Sequence, residues 1–384
     1  MTVAGIAGRG KDLTCPYCFE RVPRRRVEFR CRGRVAGQSG CQEVPDERHA
    51  AFTRQPPEPR PPVFAADGRQ PRATCPKCEL ESAQRVCPAC HTHLPGSYLD
   101  ATSRIVALVG AKGAGKSTYI AVLIHELQNR VGEELQASLV ECDDRTRRRY
   151  REEFHAPLFG SHRLLPVTQS AATRLNDPLI YTLTLGRSGL LRRGNPALTL
   201  VLFDNAGEDF TSDESVDRHL RYLGAADTVI FLVDADDLPG DAPQDVIGRV
   251  TEMLRTQHGI PAGRPLPVPV GVALTKIDAI ADQLSPASAL RRPRPASGSF
   301  DPADREAVHE EVRALLDSWQ SRGLDLFLEH NFRTYNLFGL SALGNTPQGE
   351  VVDPRGIQPY RVEDLLLWLL HRFGMLPTRR RGRS

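Results

Sequence analysis

The sequence has little lysine, few methionines and tryptophans, and no long apolar run. Lysine occurs only at positions 11, 77, 112, 116 and 276, so arginine carries nearly all of the positive charge. Arginine codons are GC-rich, and a chain also rich in alanine, glycine and proline points to a high-GC bacterial genome. The longest apolar stretches, such as Thr228–Val233 and Leu365–Leu370, fall far below the roughly 20 residues of a membrane-spanning helix. Met1–Lys11 has no apolar run of signal-peptide length. Together these absences make no transmembrane segment and a cytoplasmic location the expectation. A net charge of +3 over 384 residues excludes a polycation. Cysteine is unevenly placed: eight of the nine lie before residue 91, and Cys142 stands alone. In a cytosolic chain this pattern reads as metal ligation rather than disulfides.

The pattern divides the chain. Residues 11–49 hold Cys15, Cys18, Cys31 and Cys41. Residues 50–72 are rich in proline and arginine, with Pro56, Pro57, Pro59, Pro61 and Pro62, and read as an extended linker. Residues 73–95 hold Cys75, Cys78, Cys87 and Cys90. From residue 104 the texture changes to short β-branched runs alternating with amphipathic segments. Strands are predicted at Arg104–Val109, Leu179–Leu185, Ala197–Phe203, Thr228–Asp234, Val268–Thr275 and Thr334–Ser341. Helices are predicted at Lys116–Arg130, Asp213–Gly224, Pro243–His258, Asp304–Ser321 and Arg361–Phe373. This alternation predicts an α/β domain over 104–374, a mainly parallel sheet flanked by helices. It carries an Arg-rich, partly helical insertion at 142–176 and a proline-rich one at 284–303 that reads as a mobile loop. Residues 375–384 form a basic tail.

Four motifs carry chemistry. Arg104–Val109 runs into Gly110-Ala111-Lys112-Gly113-Ala114-Gly115-Lys116-Ser117-Thr118, which fits G-x-x-x-x-G-K-[ST] between a strand and a helix. Glycines let backbone N–H groups wrap phosphates at the helix N-terminus. Lys116 reaches the β- and γ-phosphates in such a loop, and Ser117 ligates Mg²⁺. Leu198–Phe203 ends in Asp204-Asn-Ala-Gly207-Glu208, where the Asp suits Mg²⁺ and the Gly N–H suits a γ-phosphate. Val268–Leu274 ends in Thr275-Lys276-Ile277-Asp278. The Asp278 carboxylate can accept from guanine N1–H and N2–H₂ together, a donor pair that adenine lacks. The stem of Lys276 can lie on the purine face. Ser341-Ala342-Leu343 follows the last strand, where a backbone N–H, that of Ala342, can meet guanine O6.

In this order and spacing, Gly110–Ser117, Asp204–Gly207, Thr275–Asp278 and Ser341–Leu343 resemble the motif set of Ras-like P-loop GTPases of the translation-factor-related class. With the cysteine pairs and Asp204–Phe210, the chain more narrowly resembles actinobacterial zinc-ribbon "double-GTPase" proteins of bacterial conflict systems. The resemblance implies GTP/GDP binding with Mg²⁺, GTP hydrolysis, and a protein partner that reads or accelerates it. It also implies a switch threonine between the first helix and the second strand. Thr168 is the choice, with Thr173 close behind, and it would join Ser117 and Asp204 at Mg²⁺. Two departures stand out. Thr275 replaces the commoner Asn, which predicts a lost anchor in the base pocket. Glu208 replaces a water-orienting Gln, which predicts slow intrinsic turnover. Lys116, Glu208 and Thr168 are therefore the catalytic candidates.

Each C-x₂-C pair can place two thiolates on one ion. Cys75, Cys78, Cys87 and Cys90 are expected to form one structural Zn²⁺ site, and Cys15, Cys18, Cys31 and Cys41 a second. His91 and His93 are expected beside the ligands rather than among them. The modest basic surplus around Arg24-Arg25-Arg26 favours protein docking over nucleic acid, given so few exposed aromatics.

Overall fold

The computed structural model describes residues 12–34, 40–166, 178–186, 196–203, 220–238, 242–296, 298–319, 322–347 and 349–379. The chain divides into two compact units, Met1–Ser103 and Arg104–Ser384.

The second unit is built on a seven-stranded sheet. In chain order its elements begin with β1 (Thr102–Val109), α1 (Lys116–Gln128) and β2 (Ala137–Glu141). Next comes α2 (Asp144–Arg149), continued by a wide-wound π-helix over Tyr150–Gly160, then β3 (Leu179–Leu185) and β4 (Ala197–Leu202). β5 (Thr228–Asp234), α3 (Ala242–His258), β6 (Val270–Thr275) and α4 (Pro302–Ser318) follow. The unit ends with α5 (Arg322–Asn331), β7 (Tyr335–Gly339) and α6 (Asp364–Arg372). The sheet order is β2-β3-β4-β1-β5-β6-β7. β1, β5, β6 and β7 run parallel, while β2–β3 and β3–β4 pair antiparallel. β5 reads Thr-Val-Ile-Phe-Leu-Val-Asp and is buried throughout, as a central strand covered on both faces must be. β2 alternates half-buried and exposed, as an edge strand does. Ile120 and Ile124 of α1 and Leu366 and Leu369 of α6 pack against Leu108, Leu200 and Ile230 of the sheet. Each such side chain, fully buried, stabilises the fold by about 1.5–3 kcal/mol. The chain crosses from β4 to β5 over β1, so the carboxyl end of β1 opens at a topological switch point, where α/β sheets hold their ligands.

Two expectations need correction here. The described part of the segment 284–303 is not a loose loop: Arg294 donates to Glu134 at 2.7 Å and to Glu363 at 3.3 Å, so buried ion pairs hold it at that point. The boundaries at 50–72 also change. Within that stretch, Val63–Phe64 pairs with Glu28–Arg30, which pairs in turn with Arg85–Val86, and Phe64 stacks on Phe29 at 6.0 Å. The stretch read as a linker is thus part of the first unit's fold.

Candidate nucleotide site and cysteine clusters

The loop after β1 is shaped by its glycines. A Cβ on Gly110 would meet the Leu232 carbonyl oxygen at 2.4 Å, so only glycine lets β1 leave the sheet against β5. Gly113 and Gly115 sit at φ +83° and +79°, in the left-handed region that glycine enters without cost. α1 then begins at Lys116, with its first N–H groups at the loop, the arrangement that binds anions at a helix start. The Lys116 ammonium is buried and donates to the carbonyl oxygens of Gly110 at 2.7 Å and Ala111 at 3.1 Å. It is folded back over the cradle formed by residues 110–117.

The base-side elements converge on this loop. The Thr275 hydroxyl, fully buried at the end of β6, donates to Ala114 O at 3.1 Å and lies 3.2 Å from Val233 O. The hydroxyl thereby ties the phosphate loop to the end of β6. Lys276 takes φ +56° and its ammonium pairs with Asp234 at the carboxyl end of β5. Asp234 also accepts from Asp236 N at 3.2 Å. Ile277 N donates to Leu340 O at 3.3 Å and Leu340 N to Leu274 O at 2.8 Å, so residues 275–278 and 341–343 lie side by side. Asp278 is half-buried and its carboxylate accepts from the Thr346 hydroxyl at 3.4 Å. The Ser341 hydroxyl accepts from Gly344 N at 2.8 Å, and the Ser341 backbone pairs with Tyr360 in both directions at 2.9 and 2.8 Å. Among the described residues, the Ala342 N–H has no backbone partner.

Thr168, Thr173, Asp204, Gly207 and Glu208 lie outside the described residues. The strand that leads to Asp204 is described as far as Phe203, which is buried with its ring 4.7 Å from that of Tyr222. The Arg-rich insertion begins at the same end of the sheet. Cys142 N donates to Ile180 O, and the Thr146 hydroxyl accepts from Ile180 N at 3.1 Å. Further on, the Tyr150 hydroxyl donates to Ala121 O at 3.1 Å, one helical turn beyond Ser117.

Sequence reasoning missed Asp234 and the whole segment from Thr346 to Tyr360. Asp234 was findable as an acid at the carboxyl end of a buried strand. Nothing in the sequence marks Thr346.

In the first unit, the eight cysteines gather as Cys15, Cys18, Cys87 and Cys90, and as Cys31, Cys41, Cys75 and Cys78, the ligand atoms of each set lying within 4.8 Å of one another. Within each set, approaches of 3.8 Å (Cys15–Cys90), 3.7 Å (Cys18–Cys87), 3.5 Å (Cys31–Cys78) and 3.7 Å (Cys41–Cys75) join cysteines far apart in the chain. The expected partition is overturned: the sets are nested, not successive. Three of the four pairs share one turn. Phe19, Glu79 and His91 each follow a C-x₂-C, each takes φ between +53° and +63°, and each donates its N–H to the first cysteine's carbonyl. These turns aim both thiols of a pair the same way, which suits a tetrahedral ion. In the set of Cys15, Cys18, Cys87 and Cys90, burial pushes the Cys15 thiol up while hydrogen bonding from Cys15 draws Cys90 down. Clustered thiols that share negative charge in this way fit a bound divalent cation such as zinc. His91 stays off the thiols, as expected, with Nδ1 2.7 Å from Asp46. Burial opposes ionisation of Asp46, but Arg30 at 2.6 Å, the His49 N–H and His91 together outweigh it and hold the carboxyl down at about 2.

A mainly parallel sheet delivering a glycine-rich loop into a helix, with a Thr-Lys-x-Asp strand end beside it, defines a P-loop GTPase fold. Residues 104–352 match the Double-GTPase 2 family, and the chain belongs to it. It is 28% identical over 396 residues to the putative ESX-1 scaffolding and assembly protein SaeC of Mycolicibacterium smegmatis, covering 94% of this chain and 99% of that protein. Among solved structures it is similar to the Arl6 BBS3 small GTPase of Trypanosoma brucei with the nucleotide analogue GppNp bound, at 16% identity and TM-score 0.31, over 72% of this chain and 99% of that one. It is also similar to the signal recognition particle receptor SRb-GTP/SRX complex of Chaetomium thermophilum, at 15% identity and TM-score 0.30, over 65% and 95%. Structural similarity of that size carries no argument; the class rests on the family match and the site. Among the described residues no helix is long and apolar enough to cross a membrane.

Proposed function

We propose that the chain is a GTP-binding and GTP-hydrolysing switch that organises a protein assembly. The observation that carries the reading is the Thr275 hydroxyl on Ala114 O, which makes the phosphate loop and the base-reading strand end one structure. In this reading the backbone N–H groups of residues 112–118 and the Lys116 ammonium hold the phosphates. Asp278 reads the guanine edge, and the Ala342 N–H meets O6. Ser117, Asp204 and Thr168 would hold Mg²⁺, which supplies charge neutralisation between the β- and γ-phosphates. Glu208 would hold the attacking water by accepting its hydrogen bond, at the cost of facing a polyanion. A partner that supplies an arginine, or orders the insertion at 142–176, would relieve that cost. The two thiol sets would hold structural zinc, leaving the first unit as the docking module. The relative SaeC is a putative scaffolding and assembly protein, which favours a role in building a protein complex over one in bacterial conflict.

The test is competition for labelled GTP together with single-turnover hydrolysis in Mg²⁺. GTP and GDP should compete and ATP should not, and Lys116→Ala should lose both binding and turnover. Equal competition by ATP would overturn the guanine reading. Binding without any turnover, even with host extract added, would leave a non-hydrolysing GTP module.

A further inference from the structure

The segment after the last strand doubles back onto the base-side loop. Gln358 N donates to Leu343 O at 2.9 Å, and Tyr360 pairs with Ser341 in both directions. Gly344, at φ +80°, lies so close that a Cβ there would sit 1.8 Å from the Gln358 carbonyl oxygen. Arg355, itself held by Asp353 at 3.0 Å through both nitrogens of its fork, donates to the Asn345 side-chain oxygen at 3.1 Å. The residue after Asn345 is Thr346, whose hydroxyl donates to Asp278.

We infer that Thr346 is a positioning residue for base selectivity, and that the Arg355–Asn345 contact holds Thr346 in place. The inference rests on Asp278 being the guanine-reading group. A carboxylate discriminates best when both oxygens lie in the plane of the base, so that N1–H and N2–H₂ are bound together. A half-buried carboxylate at the end of a loop has rotational freedom about its terminal bond. A hydroxyl donor on one oxygen restricts that rotation while leaving lone pairs on both oxygens for the base. The doubled-back segment is therefore a specificity element rather than a connection between β7 and α6.

The experiment compares GDP with IDP, whose base lacks the N2 amine, in competition against a fluorescent guanine nucleotide on the full chain. The wild type should prefer GDP. In Thr346→Val the GDP-to-IDP preference should fall about three- to tenfold, the effect of one hydrogen bond, because a misaligned carboxylate loses the second contact that only guanine offers. Thr346→Ser, which keeps the hydroxyl, should restore the ratio, and Arg355→Ala should lower it by less than Thr346→Val does. An unchanged ratio in Thr346→Val, with Asp278→Asn still collapsing it, overturns the role of Thr346 alone. An unchanged ratio in Asp278→Asn overturns the base-pocket reading and this inference with it. Weakening of GDP and IDP by the same factor in Thr346→Val would mark a merely structural residue and also overturns the proposal.

Discussion

The nested cysteine sets make a quantitative prediction about metal binding. The outer set closes a loop between Cys18 and Cys87, 69 residues apart, around the inner set's loop between Cys41 and Cys75, 34 residues apart. Once the inner set holds its ion, the outer set has only the arms 18–31 and 78–87 left to close, about 22 residues in all. Loop-closure entropy grows as (3/2)RT ln n, so the inner ion lowers the cost of the outer site by about 1 kcal/mol, roughly fivefold in affinity. The coupling is reciprocal, because the same four-state cycle governs both orders of filling. Replacing Cys31, Cys41, Cys75 and Cys78 by Ser should therefore leave one zinc per chain, bound about fivefold more weakly in a competition titration with a chelating dye. Replacing Cys15, Cys18, Cys87 and Cys90 by Ser should likewise leave one.

Both variants are decisive. Had the sets been successive, either group of four substitutions would remove two cysteines from each set, and elemental analysis would return no zinc. A stoichiometry near zero would refute the nesting. A stoichiometry of one with no loss of affinity in either variant would refute the loop-closure argument while sparing the geometry.

Three further outcomes follow from the nucleotide site. Asp278→Asn should abolish the preference for guanine and favour xanthine nucleotides, because an amide can donate to the O2 that xanthine presents; competition with XDP checks it. Glu208→Ala should spare GTP binding and lower single-turnover hydrolysis about a hundredfold, the usual size of one orienting or acid–base group; equal rates would move the water-holding role into the insertion. Thr275→Val keeps the shape but removes the hydroxyl that Ala114 O accepts from, a cost of about 1–3 kcal/mol. It should lower the midpoint of thermal unfolding and speed nucleotide release, and an unchanged release rate would show that the phosphate loop does not depend on this tie.

The sheet was legible because its strands are long, apolar and bounded. Leu179–Leu185 and Thr228–Asp234 match their predicted limits. Ala137–Glu141 escaped because an edge strand buries only alternate, half-covered positions, so five residues with one Leu and one Val carry no decisive period. The helix at Arg322–Asn331 also escaped: the expected helix ends at Ser321, and nothing is predicted between it and the strand at Thr334. The proline-rich segment 284–303 misled in the other direction. Composition reports what a backbone disfavours; it does not report Arg294 reaching Glu134 and Glu363, far away in the chain.

The site divides along the same line between local and non-local information. Gly110, Gly113 and Gly115 could be read because each is needed for a backbone conformation or close approach that its own neighbours set. The partition of the cysteines could not, because C-x₂-C spacing states which two thiols share a turn and says nothing about which turns meet. Cys75, Cys78, Cys87 and Cys90 form a compact run along the chain, yet the turn at Cys75 faces Cys41 and the turn at Cys87 faces Cys18. What brings them there is the short sheet of Glu28–Arg30 with Val63–Phe64 and Arg85–Val86, whose strands are too short to carry a period of their own. Thr275 is the same case seen in one residue. Read along the chain, a shorter side chain in place of Asn is a loss. Across the sheet, the distance from the end of β6 to Ala114 is one that a hydroxyl spans.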